Sequence, residues 1–414
     1  MNRICSHPFS SINVDIEGNY RLCCESLSFN TNIHDMSPSE FFHSSEMNNI
    51  REKFLAGDAF EDSEVLKYCS RCKDLEDTTG ESKRTRDINN TNMFLTYNFI
   101  DNINEFLDKG EITKQYSGIH LEGFGNKCNL KCLHCSNTLS STWGKFHKKI
   151  EENTSSEEYN YFYADQLKDN DYWLKQEFMF KNDDDLNSFI EEVKSNDNLK
   201  TIVATGGEPL LNQHFRKFYK EINDHKPDVL ISINTNASIP VKLIKDAVEM
   251  RLIKNNIRFS FSYDGLYDVY EFIRDTSKWN EYIDCVDTFV DMRLRANAFS
   301  SVQCLNIFQF ADMKKFMDKK GIDTNYHLVT GPNYLCISIL PNEIKQTLIE
   351  KYESINTFGF YDRVIEALKY NKDKHIHKKR INDLYRFLDL QSLLKGHDWR
   401  LIFSELAEVE EKYR

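Results

Sequence analysis

Residues 118–135 read Gly-Ile-His-Leu-Glu-Gly-Phe-Gly-Asn-Lys-Cys-Asn-Leu-Lys-Cys-Leu-His-Cys. The run His120–Phe124 has strand character, and Cys128, Cys132 and Cys135 follow it at C-x3-C-x2-C spacing on one short loop. Three thiolates held that close can ligate three irons of a four-iron cube and leave the fourth iron open. A four-cysteine electron-transfer cluster has no such opening. The competing reading is a zinc site with His134 as fourth ligand. His134 directly precedes Cys135, a poor position from which to close a tetrahedron with it.

Outward from this loop, strand-like runs recur at Thr201–Thr205, Val229–Thr235, Arg258–Tyr263, Ser301–Ile307 and Asn325–Val329. Helical stretches separate them: Thr138–Glu152, Gln213–Asn223, Val241–Arg251, Trp279–Arg295 and Asp312–Lys319. This alternation predicts an α/β fold with parallel strands and helical crossovers. Its chemistry is expected at the carboxyl ends of the strands. A long insert, residues 153–195, is acidic and aromatic; Tyr159, Tyr161, Phe162, Tyr163, Tyr172 and Trp173 either pack on the rim or line a substrate mouth. Upstream, Ile12–Leu22 predicts a hairpin about Glu17-Gly18-Asn19, and Ser37–Ala56 a helix stopped at Gly57. A polar stretch through Asn92 and a linker helix over 93–117 complete the first part, and the tail from Pro341 has helical periodicity.

Further motifs end successive strands: Thr205-Gly206-Gly207-Glu208-Pro209, then Thr235-Asn236, then Ser262-Tyr263-Asp264-Gly265, with Arg274 ten residues beyond Asp264. Read singly, a Gly-Gly turn is an ordinary strand-to-helix turn and Arg274 a surface arginine. Taken in order with the cysteine loop, they resemble the radical S-adenosylmethionine (SAM) superfamily over most of residues 118–335. The resemblance implies an incomplete (β/α)6, TIM-like barrel and a [4Fe–4S] cluster on Cys128, Cys132 and Cys135. SAM would chelate the open iron, with Gly206, Gly207, Glu208 and Pro209 receiving its ammonium group. Arg274 would pair with its carboxylate in the fork geometry a guanidinium offers. Asn236, Ser262 and Asn306 are further expected SAM contacts. The activity implied is reductive cleavage of SAM to a 5′-deoxyadenosyl radical, then hydrogen abstraction from a substrate, with a reductant such as flavodoxin or ferredoxin.

A second cysteine set precedes the barrel. Cys5, Gly18 and Cys23 form C-x12-G-x4-C, and Cys69-Ser-Arg-Cys72 adds C-x2-C. Four thiolates complete a closed shell, suited to an auxiliary cluster or to structural zinc. Cys24, adjacent to Cys23, is an alternative ligand; the glycine spacing favours Cys23. With Glu76, Gly80-Glu81-Ser82 and Arg84, the set resembles an N-terminal twitch group, a SPASM-like half-module, and so implies an auxiliary [4Fe–4S] cluster. The expected organisation is 1–92 for this module, 93–117 a linker helix, 118–335 the barrel and 336–414 a helical extension.

Composition sets the outer bounds. The 414 residues are 40% hydrophobic and 13% aromatic, enough for a large core, and the formal net charge is -12. Proteins that depend on phosphate contacts are usually basic, so a nucleic-acid substrate is disfavoured without being excluded. Residues 1–16 lack a secretory pattern and no run of 18 apolar residues occurs, so a cytoplasmic protein without a membrane partner is expected. Such a compartment disfavours disulfides and makes clustered cysteines ligands or catalytic thiols. Cys285 is expected in the core, and Cys304 inside the fifth strand. Cys336, after the last strand, is a candidate hydrogen-atom donor, with core packing the plainer account. The basic stretch Lys372–Arg380 reads as a solvated face. For barrels with twitch modules the resemblance implies a peptide or protein substrate, crosslinked, epimerised or oxidised. The alternatives are the same chemistry on a nucleotide, nucleic acid or small metabolite, and a noncatalytic iron–sulfur or zinc protein.

Overall fold

The structure is a computed structural model that describes residues 4–79, 82–89, 97–122, 124–175, 179–370 and 374–414. Gly80 and Glu81 of the twitch-like motif, and Lys372 of the basic stretch, lie outside the described residues. Among the described residues the strands are β1 (Ser11–Val14), β2 (Asn19–Arg21), β3 (Ser28–Asn32), β4 (Gly118–Leu121), β5 (Lys131–Cys132), β6 (Thr201–Ala204), β7 (Leu230–Thr235), β8 (Ile257–Ser262), β9 (Arg274–Asp275), β10 (Ala296–Val302) and β11 (Asp323–Leu328). The fold is α/β with largely parallel strands, in keeping with the incomplete barrel expected. No helix among the described residues is long and apolar enough to cross a membrane.

The chain divides into two compact units. The first comprises Met1–Lys127, Gln176–Thr235 and Lys242–Phe259; the second comprises Cys128–Lys175, Asn236–Val241 and Ser260–Arg414. In the first unit β1 pairs antiparallel with β2, and β2 with β3, around a turn in which Gly18 takes φ +87°. The same β1 pairs in parallel with β4, from Ser11 opposite Gly118 to Val14 opposite Leu121. β4, β6 and β7 continue the parallel order. The N-terminal hairpin therefore extends the sheet that carries β4. Phe124, Phe180, Phe189, Phe215 and Phe218 pack on one another in tilted and edge-on contacts in the core of this unit.

The second unit contains the parallel pair β10–β11 and the short antiparallel pair β5–β9. In the latter, Lys131 lies opposite Asp275 and Cys132 opposite Arg274. Two sequence expectations are corrected here. The fifth strand runs Ala296–Val302 rather than Ser301–Ile307, because the Asn306 Oδ1 accepts the Gln303 N–H at 2.8 Å and closes a turn over the apolar residues that follow. Cys304 thus lies in that turn, fully buried, and not within a strand. Cys285 is buried in the core as expected, its thiol donating to the Ile239 carbonyl at 3.1 Å.

Candidate functional site

A loop between strands carries many backbone polar groups and little regular structure to satisfy them. In the second unit, side chains meet this need for the cysteine loop. Thr142 Oγ1 donates to the Cys128 carbonyl at 2.7 Å, Ser140 Oγ to Leu130 at 2.5 Å and Trp143 Nε1 to Cys132 at 3.1 Å. Gln166 Nε2 donates to the Leu133 and Cys135 carbonyls at 3.0 and 3.1 Å, so the insert helps to hold the loop. Thr276 Oγ1 donates to the Asn129 carbonyl at 2.7 Å, and Asn129 Nδ2 to Ser238 at 2.5 Å.

The sulfurs are met by donors as well. Arg274 Nη1 lies 3.5 Å from Cys132 Sγ and Asn236 Nδ2 lies 3.7 Å from Cys128 Sγ. Burial pushes the Cys132 and Cys135 thiols up, and Cys135 feels both Cys132 and Cys128 beside it. Three soft sulfurs on one loop, two of them facing N–H donors, fit the thiolate shell of an iron–sulfur cluster. Among the described residues no group of three or more His, Cys, Asp or Glu side chains is closed to the spacing of a bound metal ion.

Arg274 is 8% exposed, not a surface residue. Its Nε donates to Asp264 Oδ2 at 2.8 Å, and the other carboxylate oxygen accepts the Ser301 N–H at 2.7 Å. Burial opposes the Arg274 charge, but Cys132 and Asp264 hold its pKa above the usual value. His134 Nε2 lies 3.8 Å from Asp264 Oδ2, and Gln303 Nε2 lies 3.5 Å from His134 Nδ1. Burial lowers His134 to about 4, so the ring is neutral at pH 7. Asp264, His134 and Gln303 were not selected from the sequence as site residues; the Ser-x-Asp-Gly motif contained the signal for Asp264. Asn236 is directed to the loop, donating to Asn129 Oδ1 at 2.8 Å. Asn306 donates to the Asp264 and Ser301 carbonyls at 3.1 and 3.0 Å, so its amide is engaged by the backbone. Ser262 ends β8 and is part-buried. Cys336 lies between two 3-10 turns with Sγ 3.8 Å from the Pro332 carbonyl, and Cys304 feels its charge.

The first unit holds the other two groups of expected residues. Gly206 has φ +111°, and a Cβ there would meet the Glu122 carbonyl oxygen at 2.3 Å; one on Gly207 would meet that of Lys127 at 2.6 Å. Both glycines are thus required by close backbone approach. The Glu208 N–H donates to the same Lys127 carbonyl at 2.8 Å. The Glu208 carboxylate is buried, accepts from Thr235 Oγ1 at 2.9 Å and caps the Pro209–Leu211 turn.

Cys5, Cys23, Cys69 and Cys72 lie within electrostatic reach of one another: Cys5 feels Cys69 and Cys72, Cys23 feels Cys24 first and then Cys5 and Cys72, and Cys69 feels Cys23 and Cys72. Burial raises all four thiols. Cys24 has different principal neighbours, Lys83, Glu25 and Glu122. Cys69 and Cys72 sit on a helix, Ser63–Thr79, where a polar stretch was expected after them. Arg84 grips Glu76 with two bonds of 2.9 and 2.5 Å, and Ser82 Oγ donates to the same carboxylate at 2.5 Å. Arg21 ties the Cys23 loop down, donating to the Ser26 and Cys24 carbonyls and, at 2.9 Å, to Glu122. Cys5, Cys23 and Cys72 are buried and Cys69 is half-buried.

Residues 123–303 match the family model described as the Radical SAM superfamily. A GTP 3',8-cyclase of Campylobacter lari is 26% identical over 131 residues, 32% of this chain and 31% of that relative. A second GTP 3',8-cyclase, of Nautilia profundicola, is 24% identical over 203 residues, 49% of this chain and 52% of that relative. The chain thus spans about a third to a half of the length of these curated relatives. Among solved structures, native anSMEcpe with bound AdoMet is similar at 16% identity and a TM-score of 0.37, over 68% of this chain and 62% of that one. Streptococcus suis SuiB is similar at 14% identity and a TM-score of 0.36, over 76% of this chain and 63% of that one.

Proposed function

From the match of residues 123–303 to the Radical SAM superfamily, we propose that the chain is an enzyme that cleaves SAM reductively and abstracts hydrogen from a peptide or protein side chain. The observation that carries the proposal is the cysteine loop, whose sulfurs face the N–H groups of Arg274 and Asn236. Cys128, Cys132 and Cys135 would hold the cluster, which when bound would supply the one-electron reduction that cleavage of SAM and hydrogen abstraction require. The protein's own part is positioning. Trp143, Thr142 and Gln166 hold the loop carbonyls, and Asp264 orients Arg274. Neutral His134 places no positive charge beside the Arg274 guanidinium. Glu208 and the Gly206-Gly207 backbone are assigned to the ammonium end of SAM and Arg274 to its carboxylate.

Cys5, Cys23, Cys69 and Cys72 are assigned to an auxiliary [4Fe–4S] cluster in a module spanning 1–92. Cys23 is preferred to Cys24 because of its spacing from Gly18, and because Cys5 and Cys72 stand among its charged neighbours after Cys24 itself. The peptide reading rests on the likeness of this module to twitch domains. A nucleotide reading has its own support, in relatives named GTP 3',8-cyclase.

The deciding experiment is anaerobic incubation of reconstituted protein with dithionite and SAM. Release of 5′-deoxyadenosine is expected, and its loss when Cys128, Cys132 and Cys135 are all replaced by alanine. Equal release from that variant defeats the assignment. Stimulation by GTP and not by candidate peptides would turn the substrate reading to the nucleotide.

A further inference from the structure

Beside the cysteine loop, within the second unit, lies a charged group to which no role has been given above. Lys131 Nζ is 2.5 Å from Asp275 Oδ2, and Lys395 Nζ is 3.4 Å from the same oxygen. Lys395 also donates to the Phe272 carbonyl and stands over the Phe272 ring, 4.2 Å from its centroid. Lys131 lies 4.9 Å from the Trp143 centroid, the ring whose Nε1 holds the Cys132 carbonyl. The side chains of Lys131, Lys395 and Asp275 are 3%, 7% and 18% exposed. Lys131 and Asp275 occupy the register position next to Cys132 and Arg274 in the β5–β9 pair.

Burial would raise Asp275, but Lys395 and Lys131 beside it hold it below the usual carboxylate range. Burial lowers Lys395 to about 7. Among the described residues, then, two buried lysine side chains meet one carboxylate, and the second positive charge is held in full only where a further anion faces it. A surplus charge in a desolvated place is costly unless an anion lies near it. Three thiolates around an iron–sulfur cube bring that anion, and its negative charge grows when the cube takes up an electron. The Arg274–Asp264 pair is already balanced, so the surplus comes from the lysine pair.

The geometry points to Lys395 as a positioning residue for charge, one that raises the reduction potential of the cluster on Cys128, Cys132 and Cys135 and makes the C-terminal extension part of the redox site. The helix that ends in Lys395, Lys374–Lys395, is tied to the same region by Gln391, whose Nε2 donates to Tyr163 Oη at 2.8 Å. A buried positive charge stabilises the reduced cluster more than the oxidised one, because net charge is among the terms that set such potentials. The step concerned is uptake of one electron from a low-potential one-electron donor; no bond is made or broken. The inference rests on the cluster proposed above.

The test is a redox titration of the reconstituted full-length protein, followed by EPR on the signal that SAM perturbs. Lys395→Met is expected to shift the midpoint to more negative potential with iron content unchanged, and Lys395→Arg to restore it. Asp275→Asn is expected to shift it in the opposite direction, since it removes a negative charge. A structural role would move both variants the same way or neither. Unshifted midpoints in Lys395→Met and Asp275→Asn, or shifts of one sign, overturn the inference. If Lys395→Met fails to hold iron, Asp275→Asn together with Lys395→Arg decides by the same criterion. Wild-type protein without a SAM-responsive cluster defeats the underlying assignment instead, a result distinguishable from unshifted midpoints.

Discussion

Arg274 and Asp264 form a buried pair, and that fixes what their removal does. Taking away one partner of a buried ion pair leaves the other unpaired, at a cost of about 3–5 kcal/mol. Arg274→Ala is therefore expected to lower thermal stability by more than the double variant Arg274→Ala, Asp264→Ala. It is also expected to weaken SAM binding, measured by titrating the cluster's EPR signal. A second residue sets a pH dependence. His120 Nδ1 and Nε2 lie 2.9 and 2.8 Å from Asn13 Oδ1 and Thr205 Oγ1, and burial lowers its pKa to about 3. The unfolded chain takes up this proton near pH 6.5 and the folded chain does not. Stability from His120 is thus fully present above pH 6.5 and falls as pH drops towards 3, by an amount on the order of a few kcal/mol. The melting temperature of His120→Gln should vary less between pH 6.5 and 5 than that of wild type; parallel curves would contradict this. The cysteines and the Gly-Gly-Glu-Pro turn were legible as motifs because chain-local spacing carries them. Lys395 was not, since its meaning depends on a carboxylate far away in the chain.

At the level of elements, strand-like runs located β4, β6, β7, β8 and β11, did not foresee the parallel pairing of β1, and misplaced the features set by side-chain caps. The helix expected over Ser37–Ala56 is two helices, Pro38–Phe42 and Ser45–Ala56, because Ser44 accepts the Met47 N–H and starts a new one. The shift of β10 has the same kind of cause in Asn306. The turn after β6 gives an element-level prediction. Gly206→Ala places a Cβ 2.3 Å from a backbone oxygen that has no rotamer with which to yield, on a left-handed φ. It is expected to lower the melting temperature by far more than Gly110→Ala. There the φ is +75° but nothing lies within 4 Å, so the cost is strain of about 1 kcal/mol. Equal losses for the two would show that the close approach does not matter.

For the whole molecule, metal count is the most direct measure of the proposed organisation. Two [4Fe–4S] clusters would give about eight irons per chain. The variant lacking Cys128, Cys132 and Cys135 should retain about four, and one zinc with negligible iron in that variant would make the N-terminal site structural. The alternation of strand and helix was enough to read the fold class from sequence. The division into two units was not, because each unit collects segments distant in the chain.

One pairing has a practical consequence. Strand β1 lies in register along the whole of β4, so the N-terminal segment cannot be handled as a detachable cassette. Cutting it away uncovers a row of unpaired N–H and C=O groups on β4, the kind of open edge that recruits other chains. A version lacking the first 92 residues should therefore self-associate and elute early in size-exclusion chromatography, even with its three-cysteine loop intact. A monodisperse truncated monomer would refute this. By the same token, grafting the N-terminal cysteines onto another barrel would require a free parallel edge to receive β1, which makes inheritance of this segment a property of the sheet as much as of its ligands.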